Sequence, residues 1–292
     1  MYVLRIEVFV NHAAQLGEGP LWDPRSNRLY WVDTYGKALH SVDSNGGDMR
    51  TWSMPEPIGA CALREKGGAI VALRSGFFEL DFDSGEVKLL CETHPGELRP
   101  RFNDGKTDRQ GRFIAGTMDF EEEAPVASLF RLDPDLSVKK IDDQIICSNG
   151  PCFSPDGRTM YFADSFKKTI FAYEYDIETG NVKSRRVFAC FNDFQGYPDG
   201  MTVDSEGGVW VVEVYAGRLL RYDSLGGLDR VVGLPVFSST SIMFGGPNLD
   251  IAYITSMARP FGDRYPMEKE AGMVFAIYGL GVKGLPETPF AG

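Results

Sequence analysis

The sequence has few of the residues on which several common catalytic and structural devices depend. Its 292 residues include only three histidines and five cysteines. His12, His40 and His94 supply a histidine-rich metal cluster or a serine triad only poorly, and we interpret them as surface or core residues. The cysteines form no CxxC pair, which argues against a structural zinc site, so we expect reduced, mostly buried thiols.

Positive charge and long hydrophobic runs are also scarce. The 30 Lys and Arg against 41 Asp and Glu leave a net charge of -11, which disfavours nucleic acid and anionic membranes as partners. No run reaches the roughly 18 apolar residues that a membrane-spanning helix needs. Arg5 and Glu7 interrupt the first apolar stretch, and no Asn-x-Ser/Thr sequon occurs. We therefore expect a soluble, cytoplasmic protein without a signal peptide.

What the chain does contain is a repeat of short runs rich in β-branched and aromatic residues, each entered through a Gly, Asp or Asn turn. The six runs begin at Ser26, Lys66, Gln110, Asp156, Glu206 and Asn248. Their spacing of roughly 40 to 50 residues is about one four-stranded propeller blade. A second alternating strand follows each run, and no stretch is long and periodic enough for a core helix.

This pattern predicts an all-β fold, a six-bladed β-propeller, built as a single domain over residues 1–292. A stacked pair of β-sandwiches also contains many short strands with turn signals and is the alternative. Even spacing favours the radial repetition of a propeller. The first strand of each blade lines the central channel of a propeller, and we assign the six runs to that inner position.

Three segments just upstream of these runs place a polar group beside glycine or proline. They are LGEGPLW with Glu18, CSNGPCFSPDG with Asn149 and YPDGMTVDSEG with Asp199. Equivalent positions on different blades point at the same axis, where two carboxylates and an amide oxygen suit a hard divalent cation better than a structural zinc. Taken singly, each residue is better explained as a turn residue, because Asn-Gly and Asp-Gly are strong turn formers. Their common register at three blade starts reverses that preference.

A fourth segment, RPRFNDGKTDRQGRF, places Arg101 and Asn103 at the same relative position in another blade. Arg101 is suited to hold a polyhydroxy or carbonyl ligand, and Asn103 to donate to a ring or carbonyl oxygen. A solvated Asn-Asp-Gly turn remains the alternative. The acidic stretch EEEAPVAS after Met118 is expected to form an exposed loop, which is a candidate lid over the mouth of the channel.

These segments resemble, essentially end to end, the senescence marker protein / gluconolactonase / luciferin-regenerating enzyme (regucalcin-like) family. The resemblance rests on LGEGPLWDPRSNRLYWVD, RFNDGKTDRQGRFIAGTM, SNGPCFSPDGRTMYFADS, YPDGMTVDSEGGVWVV, the FGGPNLDIAYITS segment and AGMVFAIYGLGVKG. It implies a six-bladed propeller with one catalytic divalent metal in the central channel.

Position by position, the resemblance implies Glu18, Asn149 and Asp199 as metal ligands, the residues that the blade register also selects. It implies Asp199 as the general base and Arg101 and Asn103 as substrate-binding residues. Glu121 matches a third substrate-binding residue by its distance from the GTM motif, although Asp119 and Phe120 before it depart from the animal pattern.

The implied function is that of a metal-dependent sugar-lactone hydrolase (a gluconolactonase-like lactonase) that converts an aldonolactone to the aldonic acid. The expected cofactor is one divalent cation, calcium first, with magnesium, manganese, zinc and ferrous iron also admitted by oxygen ligands. The expected partner is a small-molecule lactone, and the expected state is a monomer. Two alternatives stay open: a phosphotriesterase or aryl-esterase, and a non-catalytic propeller that binds calcium or a protein partner. Specificity is assigned to residues 118–125 and 237–241.

Overall fold

The structure is a computed structural model that describes residues 3–260 and 264–292. Within these residues, 24 strands form six antiparallel sheets of four strands each. None of the described residues lies in a helix, and a helix that could cross a bilayer is therefore not found among them. The prediction of an all-β, six-bladed β-propeller is confirmed.

Each sheet runs from an inner strand to an outer one. The inner strands are β2 (Gly17–Asp23), β6 (Ile58–Leu63), β10 (Pro100–Thr107), β14 (Ser148–Phe153), β18 (Tyr197–Val203) and β22 (Ser239–Gly245). The second strands are β3 (Arg28–Asp33), β7 (Ala69–Leu73), β11 (Phe113–Asp119), β15 (Thr159–Asp164), β19 (Val209–Val214) and β23 (Ile251–Ser256).

The outer half of each sheet follows the same order. The third strands are β4 (Ala38–Asp43), β8 (Gly76–Leu80), β12 (Ala127–Leu132), β16 (Thr169–Tyr175), β20 (Arg218–Tyr222) and β24 (Val274–Tyr278). The outermost strands are β5 (Arg50–Ser53), β9 (Val87–Glu92), β13 (Val138–Ile145), β17 (Val182–Cys190), β21 (Leu228–Gly233) and β1 (Arg5–Val10).

The inner strands form a closed ring around the channel. Each contacts the inner strand of the next blade, and β22 returns to contact β2. Six separate hydrophobic clusters fill the spaces between neighbouring sheets, so each sheet is buried on both faces. This ring of packed sheets excludes the stacked-sandwich alternative, in which each sheet would face one partner only.

One strand assignment from the sequence is wrong. The six β-branched and aromatic runs are the second strands of the blades, and the polar segments upstream of them are the inner strands themselves. The reason is local composition: second strands are buried on both faces and read as continuous apolar runs. The inner strands carry Gly, Pro and polar residues that face the channel, which hides their strand signal.

Both ends of the described chain help to close the ring. Strand β1 pairs with β24, with Arg5 opposite Tyr278, so residues near the N-terminus supply the outermost strand of the last blade. Residues 283–291 form a C-terminal strap along the far ends of the inner strands. Its backbone bonds include Ser205 N to Lys283 O at 2.7 Å and Phe290 N to Leu63 O at 2.7 Å.

The strap is anchored by an aromatic side chain and crosses the mouth of the channel opposite to the polar segments. Phe290 is fully buried in the cluster between the second and third blades, and its carbonyl accepts from Glu65 N at 3.0 Å. Ala291 N donates to Gly111 O at 3.0 Å. The five cysteines are all free, and Cys61, Cys147 and Cys152 are buried, as expected of reduced thiols.

Candidate active site in the central channel

The six inner strands are all irregular at the same place. Each has a register shift against its second strand, at Glu18/Leu21, Ile58/Ala60, Phe102/Asp104, Asn149/Cys152, Pro198/Met201 and Ser239/Ile242. A β-bulge bends its strand and redirects a side chain, which is why bulges recur beside active sites. Here they bring side chains from different blades toward one end of the channel.

The three predicted metal ligands lie at these bulges and line one cavity of about 320 Å³. Glu18, Asn149 and Asp199 are 4%, 4% and 8% exposed. Asn149 Nδ2 donates to Ser165 Oγ at 2.8 Å, and Ser165 Oγ donates to the carbonyl of Pro198 at 2.7 Å. These two bonds fix the amide of Asn149, so that its Oδ1 is the atom left to accept.

Three carboxyl groups in this part of the channel, those of Glu18, Asp104 and Asp199, are buried, and burial disfavours their charged forms. Burial raises the pKa of Glu18 well above its ordinary value, and the charges of Asp199 and Asp104 raise it further. Burial, then the charge of Asp104, raises the pKa of Asp199 in the same way. Burial also raises the pKa of Asp104 to about 6, although Gly150 N donates to its Oδ2 at 2.9 Å.

A cation between Glu18 and Asp199 would relieve this arrangement, because it offsets both their desolvation and their mutual repulsion. Within residues 3–260 and 264–292, no three His, Cys, Asp or Glu side chains are grouped so as to hold a metal ion. The candidate set therefore depends on the amide oxygen of Asn149. None of the three histidines lines the cavity.

Arg101 and Asn103 line the same cavity and contact each other. Arg101 is 3% exposed, and its Nη1 donates to the carbonyl of Phe102 and to Asn103 Oδ1, both at 3.0 Å. Asn103 Nδ2 donates to Ser148 O at 2.8 Å and to Asn149 Oδ1 at 3.3 Å. Asn103 thus links the arginine to the predicted metal ligands. Arg101 Nε is buried and has no acceptor among the described residues.

The loop after β11 forms part of the cavity wall. Asp119 anchors it by accepting from the backbone nitrogens of Glu123 at 3.0 Å and Ala124 at 2.8 Å. The side chain of Glu121 is 59% exposed and lies 3.1 Å from Arg99. Glu122 is half-buried with a φ of +63°, a strained conformation for a non-glycine residue. Burial raises the pKa of Glu122 to about 7, although Arg101 and Arg259 lower it.

Sequence reasoning missed one group of lining residues, which come from the turns after the second strands. Tyr35, Ser165, Tyr215 and Arg259 follow β3, β15, β19 and β23, and all line the cavity. In antiparallel strands the end of the second strand lies beside the start of the first. The turn positions after the six apolar runs were therefore the signal that would have identified them. From the last blade, Met257 and Arg259 line the cavity, rather than residues 237–241.

Comparison with known proteins identifies the family that the sequence motifs resemble. Residues 16–258 match the family described as "SMP-30/Gluconolactonase/LRE-like region". Regucalcin of Xenopus laevis is 36% identical over 299 residues, which cover all of both chains. Human regucalcin is also 36% identical, over 301 residues, again with full coverage of both chains.

Among solved structures, a luciferin-regenerating enzyme superposes with a TM-score of 0.94 at 29% identity, over 99% of this chain and all of that one. Regucalcin of Agrobacterium tumefaciens, described as a calcium-binding protein, gives a TM-score of 0.90 at 27% identity, over 97% and 96% of the two chains. Together with the family match, these likenesses extend from the blades to the segments that line the channel. The chain belongs to the SMP-30/gluconolactonase/LRE-like family of six-bladed β-propellers.

Proposed function

We propose that this protein is a metal-dependent lactonase that hydrolyses a sugar lactone to the aldonic acid. One observation carries the proposal: Glu18 and Asp199 are buried, have raised pKa values and line a small cavity together with the oriented amide of Asn149. Family membership supports the same reaction class. The size of the cavity, about 320 Å³, suits a small-molecule substrate.

Glu18, Asn149 and Asp199 would hold one divalent cation. Their donor atoms are all oxygens, which suits calcium first and also admits magnesium, manganese, zinc or ferrous iron. The solved regucalcin of Agrobacterium tumefaciens, described as calcium-binding, supports calcium as the first choice. When bound, such a cation polarises a carbonyl oxygen and makes nearby water more acidic.

The residues of the chain supply the remaining chemistry. Asp199 takes a proton from the attacking water, since its carboxylate is buried and lines the cavity beside the other two predicted ligands. Arg101 lines the cavity and offers its guanidinium to an oxygen of the lactone. Asn103 positions the side chains of Arg101 and Asn149 through a hydrogen bond with each. The new bond joins the water oxygen to the carbonyl carbon, the ring ester bond breaks, and the proton goes to the departing hydroxyl.

The experiment is proton release from a panel of aldonolactones, followed with a pH indicator. Chelated enzyme receives calcium, magnesium, manganese, zinc or ferrous iron in turn, and Asp199→Asn is compared with the surface control Asp193→Asn, which removes the same charge. We expect turnover above spontaneous hydrolysis that needs both a cation and Asp199. Full activity in chelator, or in Asp199→Asn, would exclude the mechanism.

Cation binding without turnover of any lactone would instead favour the non-catalytic calcium-binding propeller. A phosphotriesterase or aryl-esterase is less well supported. Such substrates call for an apolar pocket, whereas Arg101, Arg259, Glu121 and Glu122 all line this one. Including an aryl ester and a phosphotriester in the panel tests that alternative directly.

A further inference from the structure

Arg259 is a second arginine of the cavity wall, and its backbone is firmly held. It follows β23, and its backbone nitrogen donates to Gln15 O at 3.1 Å. The segment that receives it is fixed in turn by Asp33, whose carboxylate accepts from Gln15 N at 2.9 Å and Leu16 N at 3.1 Å. The same carboxylate accepts from Gly36 N at 2.9 Å and so fixes the turn that carries Tyr35.

The guanidinium of Arg259 lies over the ring of Tyr35, 3.8 Å from its centroid. Arg101 lies over the same ring at 5.5 Å. Two cations that share one aromatic ring repel each other, and the ring offsets this only in part. An anion beside them would be attracted to both.

The described chain does not itself provide that anion. Among residues 3–260 and 264–292, no hydrogen-bond acceptor and no carboxylate pairs with the Arg259 guanidinium. Glu122 lowers the local potential, but it is not within ion-pair distance of Arg101 or Arg259. Burial also raises the pKa of Glu122 to about 7, so its carboxylate is only partly ionised at neutral pH. Glu122 therefore does not fully neutralise the field of the two guanidinium groups.

Two further cations lie beside tyrosines of the cavity wall, in a protein whose net charge is -11, although Glu121 and Glu122 also line the cavity. Lys168 lies 5.0 Å from the ring centroid of Tyr197, and Arg264 lies 4.9 Å from that of Tyr215. Both tyrosines line the cavity. Cations beside a cleft raise the local concentration of anions near them and the rate at which anions associate.

We propose that Arg259, with Arg101 and Tyr35, selects a lactone that carries a second anionic group, a carboxylate or a phosphate, away from the ester that is hydrolysed. The planar guanidinium of Arg259 offers two parallel donors to such a group. Glu18 and Asp199 are left to act at the ester. This inference rests on the proposed lactonase function and adds its substrate class.

The test compares a neutral aldonolactone with two analogues of the same ring, one with a terminal carboxylate and one with a terminal phosphate. Wild type, Arg259→Ala and Arg259→Lys are assayed, with Arg50→Ala as the control that removes the same charge from the exposed strand β5. Arg259→Ala should lower kcat/KM for the anionic lactones by about tenfold to a hundredfold. The neutral lactone should change by less than about twofold, and Arg259→Lys should recover part of the loss.

An equal effect of Arg259→Ala on the neutral and anionic lactones, or no effect on either, would overturn the inference. A loss with both anionic lactones identifies charge as the selected feature, and a loss with the carboxylate alone identifies its planar shape. If the wild type hydrolyses no lactone, the proposed function fails, and calorimetry then decides this inference. An aldaric acid, which has two carboxylates, should bind wild type more tightly than Arg259→Ala, and equal binding would refute the role of Arg259.

Discussion

The buried carboxylates of the channel predict an unusual effect of Asp199→Asn on stability in the cation-free protein. Burial raises the pKa values of Glu18, Asp104 and Asp199, so these groups hold protons more tightly in the folded state than in the unfolded state. The folded protein then binds more protons over the intervening pH range, and the free energy of unfolding falls as pH rises. This stability is fully present below the unfolded pKa and is lost as pH rises through the folded value.

Asp104 gives the scale of the effect. Its pKa rises from 3.8 to about 6, which corresponds to about 3 kcal/mol of unfolding free energy at ~1.4 kcal/mol for each pH unit. Asp199→Asn removes one buried charge, and with it the repulsion on Glu18. We therefore expect the variant to be more stable than wild type at pH 8 in chelator, by roughly 1–3 kcal/mol as for relief of an unsatisfied buried group, with little difference at pH 4.

Urea unfolding followed by tryptophan fluorescence at pH 4, 6 and 8 measures the difference, and Asp193→Asn again serves as the surface control. Calcium should then stabilise wild type more than Asp199→Asn, because the variant lacks one anionic ligand. If Asp199→Asn were less stable than wild type at pH 8 without cation, or if the difference did not grow with pH, the electrostatic reasoning would be refuted.

Three further outcomes follow from other parts of the structure. Arg101→Ala should lower kcat/KM by about a hundredfold through loss of a buried donor, while the circular dichroism spectrum stays unchanged. Full activity in Arg101→Lys would contradict a role for the planar, forked guanidinium of Arg101. Phe290→Ala should lower the free energy of unfolding by about 3–5 kcal/mol, and a loss below about 1 kcal/mol in urea would mean that the strap is not anchored there. Glu122 gains negative charge as pH rises through about 7, so KM for an anionic lactone should rise above that pH. Glu122→Gln should flatten this pH profile of KM. An unchanged profile in the variant would mean that another group causes the pH dependence.

Much of the fold and part of the site could be predicted from the sequence, because the signals are local. The six apolar runs mark one strand of each blade wherever the sheet is buried on both faces, so the blade number follows from counting them. Glu18, Asn149 and Asp199 stand out because each breaks its inner strand beside glycine or proline. That composition is what a bulge facing a channel requires. All three line one cavity, and their role as metal ligands stays a prediction.

Several features of the fold depend on closure of the ring of blades and could not be predicted from the sequence. The inner position of a strand, the completion of the last blade by β1, and the course of the strap depend on contacts between distant residues, such as Arg64 Nε to Gly292 O at 3.1 Å. The meeting of Arg259 with Tyr35 is of the same kind.

Within the site, the orientation of each side chain likewise depends on tertiary contacts. The bulge and the neighbouring strand turn the amide of Asn103 toward Ser148 and Asn149. The φ of +63° at Glu122 separates its half-buried side chain from that of Glu121, which reaches Arg99. Sequence alone determined which residues are candidates for the chemistry, because side-chain type and strand-breaking motifs are local properties. Their partners and directions needed the closed ring, because packing between blades joins residues that no local pattern relates.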